Sequence, residues 1–351
     1  MTRFLGLVLL GLAVLFPLPA CAALQQLTNL FVFGDSLSDA GNSGLRSQQF
    51  AGPGVVFPPP PYDNGQFSNG PVAVQYLWNL YNPGNTTFGP SLSGGTDYAI
   101  GGATTGLQNY NSVNPNVPSS LQPAYAQYGT AWELQQFQAS HPAFNPATSL
   151  FVVWLFPNDV FYADATGTLP GVVPGSLGGP DVISNGVANI ATTIATLAAS
   201  GAQHFLVPNM PDLGMLPEFR GTPEAPELSV LSSLFDDALM NELNSLSHQL
   251  SAEIVQFNTA QALDQILADP AAFGFTNGTT ACISDPQCDP DTWVFWDGVH
   301  GTTRLQQLLA ADFAAAVPEP HCLALLSFAL VALGLGRSRS GRNLIFPRSK
   351  R

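Results

Sequence analysis

Short unbroken apolar runs punctuate this chain, separated by longer stretches in which apolar residues recur at helical spacing. Residues 30–33 (LFVF) are the first such run behind the N-terminal segment, and they break off in Gly34-Asp35-Ser36. Continuous apolarity bounded by a turn is the pattern of a strand buried on both faces. Residues 150–156 (LFVVWLF), 205–208 (FLVP) and 254–257 (IVQF) repeat it. Between them, residues 72–80 offer two candidate helix faces, Val72/Tyr76/Leu80 and Val74/Leu77/Trp78. A helix around 132–137 ends before His141-Pro142, where the proline disfavours helical geometry in its predecessor. Residues 182–199 read as a helix ending at Gly201, and 228–250 as a long one with Leu231, Leu234, Phe235, Leu239, Leu243 and Leu246 at apolar spacing. Residues 260–267 and 302–313 add two more. Strands alternating with helices predict an α/β fold, a parallel sheet covered on both faces. No internal repeat is evident.

The interruptions carry information too. Residues 53–70 are polar and proline-rich, with Pro58, Pro59, Pro60 and Pro61 in succession, which excludes helix or central strand. No core has been completed before residue 72, so this passage reads as an ordered loop near the mouth of a site, with a linker as the alternative. Residues 96–104 (TDYAIGGAT) form an apolar segment ending in the pair Gly101-Gly102, and 106–127 are again loop-like.

The two ends have their own chemistry. Residues 1–22 combine Arg3, an apolar run over 4–18 and Ala20-Cys21-Ala22, the layout of a secretory signal peptide; a lipoprotein box acylated at Cys21 is the rival reading. At the other end, Val317-Pro318-Glu319-Pro320 precedes an apolar run over 322–336 and then Arg337, Arg339 and Arg342. The run is shorter than the ~17–25 residues that span a bilayer comfortably. This tripartite end resembles the PEP-CTERM sorting signal of Gram-negative bacteria; a plain tail anchor is the alternative. The expected organisation is a signal peptide over 1–22, a single domain over 23–316 and a sorting signal over 317–351. Signal peptidase and an exosortase are the expected processing partners, and the cell envelope or extracellular matrix of a Gram-negative bacterium is the destination.

Without those ends the charge balance becomes extreme. Between 23 and 316 only Arg46, Arg220 and Arg304 oppose 23 carboxylates, a net charge of −20 with no lysine. Such a surface repels nucleic acid, whose binding rests on Lys and Arg. Cys282 and Cys288 sit close together in a Pro- and Asp-rich loop and are expected to form a disulfide in an oxidising compartment. Zinc would need more ligands than the nearest histidine, His300, supplies. No metal or organic cofactor is implied.

Ser36 lies just past the carboxyl end of a strand, where ligands of open α/β sheets bind. A serine needs a base oriented by an acid, and Asp297 and His300, three positions apart in FWDGVHGTT, offer both. His141, His204 and His248 have no acid at that spacing and read as surface or loop residues. Residues 31–42 (FVFGDSLSDAGN) resemble block I of the GDSL esterases and lipases, also called SGNH hydrolases, and FWDGVHGTT resembles their final block, differing at Gly301. Residues 97–104 resemble block II, aligning its oxyanion-hole glycine with Gly102, though Gly101 competes. Residues 156–159 (FPND) resemble block III and offer the Asn158 side chain, but Phe156 stands where the family has glycine.

The resemblance covers about residues 28–316. It implies a flavodoxin-like three-layer α/β/α sandwich and an ester hydrolase with Ser36 as nucleophile, His300 as base and Asp297 as orienting acid. Ser36, Gly102 and Asn158 would line the oxyanion hole, and the substrate would be an acyl lipid or acylated sugar. Phenylalanine lacks the backbone freedom of glycine, so the Asn158 loop is expected to sit differently or the ring to narrow the acyl pocket. Two other readings remain: an acyltransferase, and an inactive matrix protein that binds acylated glycans.

Overall fold

The computed structural model describes residues 26–317. The expected signal peptide, and the sorting signal beyond Val317, lie outside the described residues.

Strand β1 (Asn29–Gly34) is followed by helices α1 (Asn42–Ala51), α2 (Ala73–Tyr81), α3 (Gln122–Tyr125) and α4 (Thr130–Ser140). Then come β2 (Ser149–Trp154), α5 (Pro157–Thr166), α6 (Val182–Ala199), β3 (His204–Pro208), α7 (Ala225–Gln249), β4 (Glu253–Phe257) and α8 (Thr259–Ala268). A small pair, β5 (Asn277–Ala281) and β6 (Trp293–Phe295), precedes α9 (Thr303–Ala316). The main sheet is parallel throughout in the order β1-β2-β3-β4. Residues 96–100 run alongside β1 as an irregular neighbour, with backbone bonds from Val32 to Thr96, Tyr98 to Val32 and Ile100 to Gly34.

The apolar runs explain why this sheet is central. Alternate residues of a strand face opposite sides, and register aligns Phe31 with Phe151 and Phe151 with Phe205. On one face Phe31 and Phe151 meet Phe137 of α4, and Phe205 packs on Phe151. Trp154 and Phe257 pack against Phe313 of α9 on the other. Polar residues at these positions would leave one layer without a partner, so apolarity on both faces is what sandwiches the sheet.

Helix faces resolve where periodicity was ambiguous. On α2 the Val74/Leu77/Trp78 face is buried and Leu80 points outward. On α7, Phe235, Leu239, Leu243 and Leu246 are buried, but Leu234 is exposed because only one stripe of a surface helix meets the core. His204, expected at the surface, is buried in β3 with Nδ1 3.0 Å from Glu253 Oε2. Helices α1 and α5 carry no strong apolar periodicity and are additions to the sequence reading.

Candidate active site

The carboxyl ends of β1 and β2, the turn after residues 96–100 and the turn after β6 converge on a cleft of about 650 Å³. Ser36, Gly102, Asn158, Asp297 and His300 all line it. Ser36 follows β1 by two residues and is almost fully buried. Its Oγ lies 2.7 Å from His300 Nε2, and His300 Nδ1 lies 2.7 Å from Asp297 Oδ2. Residues 264 positions apart are thereby joined into one hydrogen-bonded chain.

Asp297 is held by more than histidine. Its Oδ1 accepts the N–H groups of Val299 (2.8 Å) and His300 (2.7 Å), closing the turn on itself. Its Oδ2 also accepts the hydroxyl of Tyr62 at 2.8 Å. Burial pushes this carboxyl up, yet the His300 charge and these donors outweigh it and hold the group below its ordinary range. For His300 burial works downward, but Asp297, with Asp35 and Glu218 behind it, lifts the imidazole above its ordinary value.

The glycine pair divides its work. Gly101 donates its N–H to Asp39 Oδ2 (2.8 Å) and Ser43 Oγ (2.9 Å), so that donor is committed. The N–H groups of Gly102 and Ser36 donate to no other group among the described residues, and both residues face the cleft. Asn158 sits in the first turn of α5, not at the end of a strand. Its Nδ2 donates to Asp35 Oδ2 at 3.2 Å, which leaves the second amide hydrogen for the cleft. Asp35 also accepts from Leu37 N–H, and burial raises its carboxyl to about 7.

Phe156 departs from both expectations attached to it. Its backbone adopts φ 125°, ψ −37°, a region that side chains rarely enter. The glycine-type turn into α5 is therefore retained, at a strain of about 1–3 kcal/mol. Its ring does not narrow the pocket, because it is fully buried and stacks on Phe235 with centroids 3.6 Å apart. Space for it comes from α6: a Cβ at Gly186 would lie 2.5 Å from the Phe156 ring. Burying an aromatic ring is worth about 3–5 kcal/mol by large-to-small substitution, which offsets the strain.

Tyr62, Asp35 and Asp39 are the contributors that the sequence reading did not single out. The two aspartates lie inside the GDSLSDAGN stretch. Tyr62 carries no local signal, since its partner is 235 residues away. Cys282 and Cys288 are bonded to each other, and their loop is tied to the site by Ile283 N–H donating to the carbonyl of Trp296.

Known proteins place this geometry in a family. A protein of Pseudomonas putida described as an uncharacterized protein in the trpE-trpG intergenic region is 30% identical over 323 residues, covering 85% of this chain; the chain spans half of that relative's length. The phosphatidylcholine-sterol acyltransferase of Aeromonas hydrophila is 28% identical over 278 residues, covering 78% of this chain and 70% of that protein. Among solved structures, Axe2, an acetylxylan esterase from Geobacillus stearothermophilus, aligns over 85% of this chain and 97% of that one, at 13% identity and a TM-score of 0.45. The family model described as GDSL-like Lipase/Acylhydrolase matches residues 30–313, so the chain belongs to the GDSL-like lipase and acylhydrolase family.

Proposed function

We propose that the protein hydrolyses carboxylic esters through an acyl-enzyme on Ser36. The observation that carries this reading is the hydrogen-bonded series Ser36–His300–Asp297 at 2.7 Å per step, opening on a cleft with uncommitted N–H donors. Ser36 Oγ attacks the ester carbonyl while its proton passes to His300 Nε2. The oxyanion is met by the N–H groups of Ser36 and Gly102 and by the Asn158 amide. Collapse expels the alcohol, which takes the proton from His300. A water molecule then repeats the sequence on the acyl-enzyme, releasing the acid and restoring the serine.

The acidic cleft narrows the substrate. Asp164 and Glu218 line it and no Lys or Arg does, while Leu37, Phe57, Phe161 and Leu216 supply apolar surface. A neutral ester, an acyl lipid or acylated sugar, suits that lining better than an anionic one. Acyl transfer to an alcohol other than water is a second reading, favoured by the Aeromonas relative's name. We propose further that the chain is exported to the envelope or matrix through its signal peptide and PEP-CTERM end. The Cys282–Cys288 bond suits that oxidising destination.

The direct test is Ser36→Ala, which removes hydrolysis of short p-nitrophenyl esters and stoichiometric labelling by a fluorophosphonate. Turnover near wild type in the variant, or failure of the wild-type chain to label, overturns the reading; the latter outcome supports the inactive binding protein.

A further inference from the structure

The proline-rich passage 57–71 supplies no group that makes or breaks a bond in the reaction just proposed, yet it touches the acid and base turn repeatedly. Ser68 Oγ donates to the carbonyl of Gly301 at 2.9 Å. Thr303 N–H donates to Asn69 Oδ1 and Thr303 Oγ1 to the Pro71 carbonyl, each at 2.9 Å. Tyr62 donates its hydroxyl to Asp297 itself. The passage is in turn seated on α1, where Gly65 at φ +80° crosses Gly44 so closely that a Cβ would lie 2.5 Å from the Gly44 Cα. A side chain at Gly65 would lift the whole strap.

We propose that residues 57–71 are a strap that registers the acid and base turn against the nucleophile, and that Tyr62 is its positioning residue, acting through Asp297. Tyr62 donates to Oδ2, the same oxygen that accepts the Nδ1–H of His300. Two donors on one oxygen fix its direction, and the phenol withdraws charge that would otherwise face the imidazole. The Tyr62 ring is itself held, edge-on to Trp296 at 6.1 Å and to Phe67 at 6.4 Å. Phe67 lies 5.1 Å from the His300 ring. Besides Asp297, the charged groups acting on His300 are Asp35, behind Ser36, and Glu218, across the cleft; Tyr62 leaves both untouched.

The test is Tyr62→Phe, which keeps the ring and its packing and removes one hydroxyl. Losing a donor on a charged acceptor is expected to lower kcat about tenfold, with KM for a neutral ester within about twofold, since the cleft wall is unchanged. The carboxylate, carrying more charge toward His300, raises the imidazole pKa, so the ascending limb of the pH–rate profile moves up by about half a unit. The inference rests on the esterase reading, but NMR titration of the His300 ring in the resting protein reads the same shift without any turnover. An upward shift there supports the strap even where ester hydrolysis is absent and only the broader reading fails. An unmoved His300 titration overturns the role of Tyr62, whether kcat is unchanged or falls together with melting temperature.

Discussion

Ser36 and His300 meet at 2.7 Å, but the halves of the cleft that deliver them are built differently. The nucleophile half grows from the central sheet and is wired by buried carboxylates. Asp39 accepts the N–H groups of Gly41, Asn42, Ser43 and Gly101 together with the Ser43 hydroxyl. Asp97 accepts from Ala40 and Ala99, Asp159 from Thr105, and Glu133 from Gly34. Asp39, Asp97, Glu133 and Asp159 are completely inaccessible to solvent. Neither of the two carboxylate ion pairs among the described residues involves Lys or Arg. The Asp297–His300 half instead hangs on a three-residue strand, a disulfide loop and the strap, through single side-chain bonds to backbone carbonyls. One half is wired by carboxylates that each accept several bonds, and the other is tied by single bonds.

The largest expected contrast comes from cutting one anchor in each half. Asp39→Ala strips the N–H groups of Gly41, Asn42 and Ser43 of their buried acceptor, while Gly101 keeps Ser43 Oγ; at about 1–3 kcal/mol each, denaturant unfolding is expected to show a loss of at least ~3 kcal/mol or no folded protein. Ser68→Ala removes a single bond of the strap and leaves one buried carbonyl unpaired, so about 1–3 kcal/mol is expected. Equal losses would erase the distinction between the halves.

Phe156→Ala sharpens it further. The lost ring costs about 3–5 kcal/mol and relieved strain returns little, because alanine is also strained at positive φ. A net loss of about 2–4 kcal/mol is expected, with kcat on short esters within about threefold, because the ring faces Phe235 and not the cleft. A kcat collapse without a stability change would put the ring back in the acyl pocket.

A further effect is on pH. Burial raises Asp35 and Asp159 to about 7, and also lifts Asp39, Asp97 and Glu133. A raised carboxyl binds its proton more tightly in the folded state, so its contribution is full below about pH 4 and is lost as pH rises through the folded value. His300, also raised, works in the same direction above its ordinary value. Asp297, held low, acts oppositely and only below its ordinary value of 3.8. Melting temperature is therefore expected to climb as pH falls from 8 to 5. A calorimetric series that falls on acidification over that range contradicts the buried-carboxylate account.

Much of this was legible beforehand because it is local. Strands buried on both faces announce themselves as unbroken apolar runs, and Ser36, Asp297 and His300 lie in short stretches whose spacing is set by one turn each. The sequence could also flag Phe156 as a departure, since a glycine-type turn is a local requirement. It could not say where the ring goes, because Gly186 and Phe235 lie 30 and 79 residues further on. Nor could it choose between Gly101 and Gly102, which differ only in whether Asp39 has already taken the N–H.

What the sequence determined by itself is the α/β order of elements and the choice of Ser36, Asp297 and His300 as candidates, because backbone propensity, burial pattern and side-chain type act within a few residues. Tertiary structure alone decided which donors are free, where Phe156 packs and what holds the acid and base turn in place. Those depend on contacts such as Tyr62 with Asp297 and Ser68 with Gly301, whose partners are separated by most of the chain and meet only once the sheet and its flanking layers have formed.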